Sequence, residues 1–157
     1  MTANTMKTES LYQGLQDILA GRIAPEAIID MAPYIRAYMP TFQIASGSIP
    51  ILGDNYVYIA GRVTGMDYDN AFKRFSHAEQ LLRNFGHKTI NPMQIINQDC
   101  SWEPAMCIGI IAMVKHCNKI YLLDNWYQSK GARIEKQLAE LLGYENIEIS
   151  DTLNYAI

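Results

Sequence analysis

The chain has 157 residues, with 13 lysines and arginines against 16 aspartates and glutamates, a formal net charge of -3 and an isoelectric point near 5.5. That balance argues against polymeric nucleic acid as a partner, since a backbone binder carries a basic surface. Its 49% hydrophobic and 18% charged residues are those of one soluble domain with a sizeable core, with no membrane-length apolar run and no leader pattern.

Residues 1–8 are polar. From Ser10 to Ala20, Leu11, Leu15, Ile18 and Leu19 recur at helical spacing, and Gly21 ends the run. A second helix is expected from Pro25, carrying Ile28, Ile29 and Met31. Pro33 should kink or restart it before Tyr34 to Met39, and Pro40 stops it. Thr41 to Asp54, with Ser46-Gly47-Ser48, Pro50 and Gly53, reads as a connector. Residues 1–50 therefore form a helical extension suited to packing, oligomerisation or partner binding, and residues 51–157 form the main domain.

Tyr56 to Ala60 reads as the first strand, with Gly61 and Gly65 bracketing its exit loop. Ala71, Phe72, Phe75, Ala78, Leu82 and Phe85 then make one apolar helical stripe, expected to be core and closed by Gly86. Lys88-Thr89-Ile90 is a short second strand ending at Asn91-Pro92, and Met93 to Ser101 is expected to be a loop, a lid across the mouth where strands end. Trp102-Glu103-Pro104 opens a third helix reaching about Cys117, apolar all round through Met106, Ile108, Ile110, Ile111, Met113 and Val114. Such a helix is buried between layers or between subunits; here a subunit interface is expected.

Lys119 to Leu123 is the third strand, and Ile134, Leu138, Leu141 and Leu142 face inward from a helix that stops at Gly143. Asn146 to Ser150 is the last strand, followed by a tail ending in Asn154-Tyr155-Ala156-Ile157. Strands alternate with helices, which predicts an α/β fold with a parallel sheet and helices on both faces. A flavodoxin- or Rossmann-like arrangement is expected, four core strands in the order 2-1-3-4 with an N-terminal helical extension. Three cysteines, Cys100, Cys107 and Cys117, form no CxxC pair, and His77, His87 and His116 are scattered. A reducing cytoplasm is expected, with neither metal nor cofactor.

Ser129 to Glu135 falls where the third strand's carboxyl end turns into a helix, the usual place for ligands in a parallel sheet. Ser129 is a natural N-cap, and Gly131 allows close backbone approach. Free amides at that helix start favour a phosphate, and the helix field should keep a first-turn Glu135 ionised. An ionised carboxylate beside a sugar is what a glycosyl-transferring nucleophile requires. By spacing alone, a first-turn glutamate is more often an ordinary surface complement to the helix dipole.

Ser129-x-Gly131-x-x-x-Glu135 follows Tyr121-Leu122-Leu123; upstream stand Tyr58-Ile59-Ala60-Gly61-Arg62-Val63-Thr64-Gly65, then Asn91-Pro92 and Trp102. This ordered set resembles the nucleoside 2-deoxyribosyltransferase superfamily, which includes nucleoside deoxyribosyltransferases and deoxynucleoside-monophosphate N-glycosidases, and it is similar to an often phage-associated branch. The resemblance runs from residue 55 to 150 and leaves the first fifty residues aside. It implies cleavage of an N-glycosidic bond, or deoxyribosyl transfer, with Glu135 as nucleophile. Ser129 and the backbone at Gly131 would hold a 5'-phosphate. Tyr58, Gly61 and Gly65 would wall a sugar or base pocket, and Trp126 and Tyr127 would stack on the base. The implied partner is a nucleoside or deoxynucleoside monophosphate, and the implied assembly is a homo-oligomer, a dimer or larger.

A nucleobase leaving group also needs a proton, and relatives place an aspartate for it about eight positions before a Cys-Asp pair. Here that position is Gly109 or Ile110, and the pair is Cys117-Asn118. Either another acid serves, with Asp67, Asp69, Asp99 and Asp124 as loop candidates, or the chain binds a nucleotide-like ligand without turning it over.

Overall fold

The computed structural model describes residues 3–39, 43–44, 47–48 and 55–149. Most of the connector 41–54 and all of the tail after Ile149 lie outside the described residues, as does Ser150 of the expected last strand.

Four strands, β1 (Tyr56–Ala60), β2 (Thr89–Ile90), β3 (Cys117–Leu122) and β4 (Glu145–Ile147), form one parallel sheet in the order 2-1-3-4. Tyr58 of β1 stands opposite Ile90 on one side and Ile120 on the other. The strands run parallel because a helix returns the chain between each pair: α3 (Tyr68–Asn84), α5 (Trp102–His116) and α6 (Lys130–Leu141). Ahead of the sheet, Gln43–Ile44 and Gly47–Ser48 pair as a small antiparallel ribbon.

β1 shows how sequence alternation builds two cores. Its β-branched and aromatic residues suit a strand, and successive side chains leave opposite faces. Val57 and Ile59 pack with Ala71, Phe75, Ala78 and Leu82 of α3, while Tyr58 and Ala60 join α5 and α6 on the other face. The stripe on α3 is narrower than its sequence predicts. Phe72 and Phe85 are 38% and 51% exposed. Phe72 lies one position around the helix from Ala71 and stacks on Tyr68, and Phe85 falls past the last turn as the C-cap.

The subunit interface expected for α5 is corrected by the chain's own N-terminus. α1 (Ala3–Leu19) and α2 (Ala27–Tyr38) pack on α5, and Leu15, Ile28 and Ile35 are fully buried in the same cluster as Ile108, Ile111 and Met113. Arg36 Nε donates to the Val114 carbonyl at 3.1 Å, fastening α2 near the end of α5. The layers are therefore α3, sheet, α5 with α6, and an outer α1–α2 pair. The restart expected at Pro33 as one of two outcomes does not occur: α2 runs through the proline as one helix. Ile28, Ala32 and Ile35, on both sides of the proline, are buried in the one core.

Where a lid loop is expected, the chain first makes a one-turn helix, α4 (Pro92–Ile95). Asn91 caps it by accepting from Met93 N at 3.0 Å, and Pro92 occupies a first-turn position that needs no donor. Buried Glu79 of α3 accepts from Thr89 Oγ1 at 3.2 Å and from Gln94 Nε2 at 3.1 Å, tying α3, β2 and α4 together. Among the described residues no helix is long and apolar enough to cross a membrane.

Candidate functional site

β1 leads to α3 on one face of the sheet, and its neighbour β3 leads to α6 on the other. The two exit loops part at this switch point, where parallel sheets hold ligands. A cavity of about 350 Å³ opens there, of a size that encloses a small molecule. Gly61, Val63 and Thr64 line it from the first loop, Tyr68 and Phe75 from α3, and Ser129, Gly131, Ala132 and Glu135 from the start of α6. Pro92, Met93, Ile96, Asn97, Gln98 and Cys100 close a further wall, with Trp102, Ala105 and Met106 of α5 beside them.

Backbone contacts draw the two loops together. Leu123 N donates to the Ala60 carbonyl at 2.9 Å, and Arg62 N donates to Asn125 Oδ1 at 3.2 Å. A Cβ at Gly61 would stand 2.5 Å from Leu123 Cδ1, so only glycine permits this approach. Between β3 and α6 the chain makes a 3-10 turn, Trp126–Gln128. Ser129 Oγ then accepts from Ala132 N at 3.1 Å and caps α6. Gly131 is roofed by α5: a Cβ there would lie 2.7 Å from Met106 Sδ. Lys130 Nζ sits 4.7 Å from the centre of the Trp102 ring.

Glu135 lies in the second turn of α6, not the first, and points inward with 6% of its surface exposed. Its Oε2 accepts a hydrogen bond from the Tyr58 hydroxyl on β1. Burial raises its carboxyl to a pKa of about 7, against the opposing pull of the Tyr58 bond. This overturns the expectation that the helix field keeps Glu135 ionised. The field fades beyond the first turn, and removal from water disfavours the charged form more strongly. Tyr58 is held well above the usual phenol range by its own burial and then by the neighbouring carboxylate, which keeps it a donor.

Of the sequence-predicted site residues, Gly61, Ser129, Gly131 and Glu135 meet at one cavity, with Tyr58 behind Glu135. Gly65 and Trp126 are not among its lining residues. Gly65 makes a left-handed turn at φ 82°, and Trp126 carries Lys136 Nζ 5.2 Å from its ring centre. Tyr127 is 59% exposed. The cavity's aromatic surface comes from Tyr68, Phe75 and Trp102 instead. Phase on the helix could have found Phe75: it sits on the apolar stripe that faces the sheet. Asp67 caps α3 by accepting from Asn70 N, and Asp124 pairs with Arg74. These two, Asp69 and Asp99 are all exposed, and none lines the cavity. Between Gly109 and Ile110, Gly109 is the position against the Tyr58–Glu135 pair, its missing Cβ 3.3 Å from Glu135 Oε2. Among the described residues no three His, Cys, Asp or Glu side chains are grouped to hold a metal.

Fold and site together define a Rossmann-like α/β protein with a buried carboxyl in a cavity at the carboxyl ends of its strands. Residues 55–147, from β1 to the end of β4, match the family model described as Domain of unknown function (DUF4406), and the chain belongs to that family. No curated protein and no solved structure matches it.

Proposed function

We propose that the protein cleaves, or transfers across, the N-glycosidic bond of a nucleoside or deoxynucleoside monophosphate. The observation that carries this reading is Glu135: one buried carboxyl, bonded to Tyr58, facing a mostly apolar cavity at the switch point. Its ionised oxygen attacks the anomeric carbon, and the C–N bond breaks with its electron pair leaving on the base. Water then attacks the glycosyl ester, or a second base does, and the carboxylate is restored. Tyr68, Phe75 and Trp102 offer flat apolar surface to a base, and Asn97, Gln98, Thr64 and Ser129 offer hydrogen bonds to its edge or to the sugar. A carboxyl with a pKa of about 7 still supplies the anion for attack near neutral pH, and the departing base takes its proton from water. The three free cysteines fit a reducing compartment, and we place the protein in the cytoplasm.

A second reading, ligand capture without turnover, is favoured by one specific observation. Among the described residues Glu135 is the only carboxyl lining the cavity, and Gly109 offers no side chain beside it. Loss of general-acid help costs about 10²–10⁴ in rate, which slows a glycosidase without abolishing it. Chromatography of wild type and Glu135→Ala, each incubated with a panel of deoxynucleosides and their monophosphates, separates the readings. Free base from wild type alone is the expected result. Equal release by Glu135→Ala would remove Glu135 as nucleophile, and no release from any substrate would leave the capture reading.

A further inference from the structure

Gly109 sits in the middle of α5, a position where glycine is less favourable than alanine because it loses more backbone freedom. It is buried and helical, so no turn or left-handed backbone calls for it. What requires it is the space beside it. A Cβ at position 109 would stand 2.5 Å from the Tyr58 hydroxyl and 3.3 Å from Glu135 Oε2, but 3.6 Å, ordinary contact, from Tyr58 Cζ. The group that excludes a side chain is thus the hydroxyl that donates to Glu135. The Tyr58 ring has nowhere to retreat, since it is 1% exposed and packed between α5, α6 and the sheet.

We infer that Gly109 is a positioning residue for Glu135, holding open the place from which the Tyr58 hydroxyl bonds the carboxyl. Three elements meet there: β1 brings the hydroxyl, α6 the carboxyl, and α5 withholds a side chain. Any substituent at 109 pushes the hydroxyl off Oε2. The carboxyl then keeps its burial and loses the donor that favours its anion, so it holds its proton to higher pH. The effect on turnover rests on the reading of Glu135 as nucleophile; the geometry does not.

The test is a cycle of full-length proteins: wild type, Gly109→Ala, Tyr58→Phe and the double variant. Two readouts are the melting temperature and the Glu135 titration midpoint, the latter followed by ¹³C NMR of glutamate-labelled protein. Gly109→Ala should lower the melting temperature in the wild-type background. In the Tyr58→Phe background, where the hydroxyl is gone, it should raise it. Both single variants should move the midpoint upward by the same interval, and the double variant no further. A Gly109→Ala protein that fails to fold, beside a double variant that folds, supports the same conclusion. The inference is overturned if Gly109→Ala leaves the midpoint unchanged, if it lowers the melting temperature equally in both backgrounds, or if neither protein carrying it folds. If no variant, wild type included, releases base, the proposed reaction fails while the cycle still decides the role of Gly109.

Discussion

A methyl group at Gly61 would enter the Leu123 side chain, with Cδ1, Cγ and Cβ all within 2.9 Å of it. Leu123 is 7% exposed and its amide holds Ala60, so neither partner has an easy way out. Overpacking of this kind costs about 1–3 kcal/mol. Gly61→Ala should therefore melt several degrees below wild type, at about 2–4 °C per kcal/mol for a domain of this size. An unchanged melting temperature would mean that the two exit loops are not locked as described. Both glycines of the first loop are visible in the sequence as turn residues, but their reasons differ. Gly61 answers a close approach, whereas Gly65 answers a φ of 82°. Ser129, Gly131 and Glu135 are legible for a related reason, because a strand running into a helix announces where a ligand site lies. The partner of Glu135 is not. Tyr58 stands 77 residues away, and only the fold brings the two together.

At the scale of elements, α5 decides what the N-terminal helices are for. A helix apolar all round must be covered on every side, and periodicity cannot tell whether the cover is another layer or another chain. Here the cover comes from α1 and α2, segments more than sixty positions upstream, whose residues Leu15 and Ile35 are fully buried against it. Truncating either to alanine should cost about 2–5 kcal/mol, as for other buried aliphatic side chains. Urea denaturation measures the loss, and sedimentation of the same variants should show association where α5 is uncovered. Wild-type stability in both would mean that α1 and α2 are appended and not structural. The alternation of strand and helix is enough to predict a parallel sheet, and its order follows the flavodoxin-like expectation. It is not enough to predict α4, whose single turn depends on the Asn91 cap and Pro92 and not on any apolar period.

For the whole molecule the central fact is a proton. In the unfolded chain Glu135 ionises near 4.5; in the fold burial holds its pKa up to about 7. Between those values the folded state keeps a proton that the unfolded state has released, so stability falls as pH rises through the window. Above it the full penalty is in place, on the order of 3 kcal/mol for a shift of this size. Glu135→Gln keeps the shape, still accepts from Tyr58 and carries no charge to desolvate. It should match wild type in melting temperature near pH 4 and exceed it by several degrees at pH 8. Equal melting at both values would show that water reaches the carboxyl and that the cavity does not isolate it. The same titration should govern the proposed reaction in the opposite sense. Attack on an anomeric carbon needs the anion, so the rate on a deoxynucleoside should climb through pH 7 as stability declines. An oxocarbenium-like centre forming beside the carboxylate returns the favourable charge interaction that folding took away with the water, and it is stronger in the transition state than in the empty site. A rate that instead fell with pH through this window would mean that Glu135 serves as an acid, and the nucleophile would have to come from elsewhere.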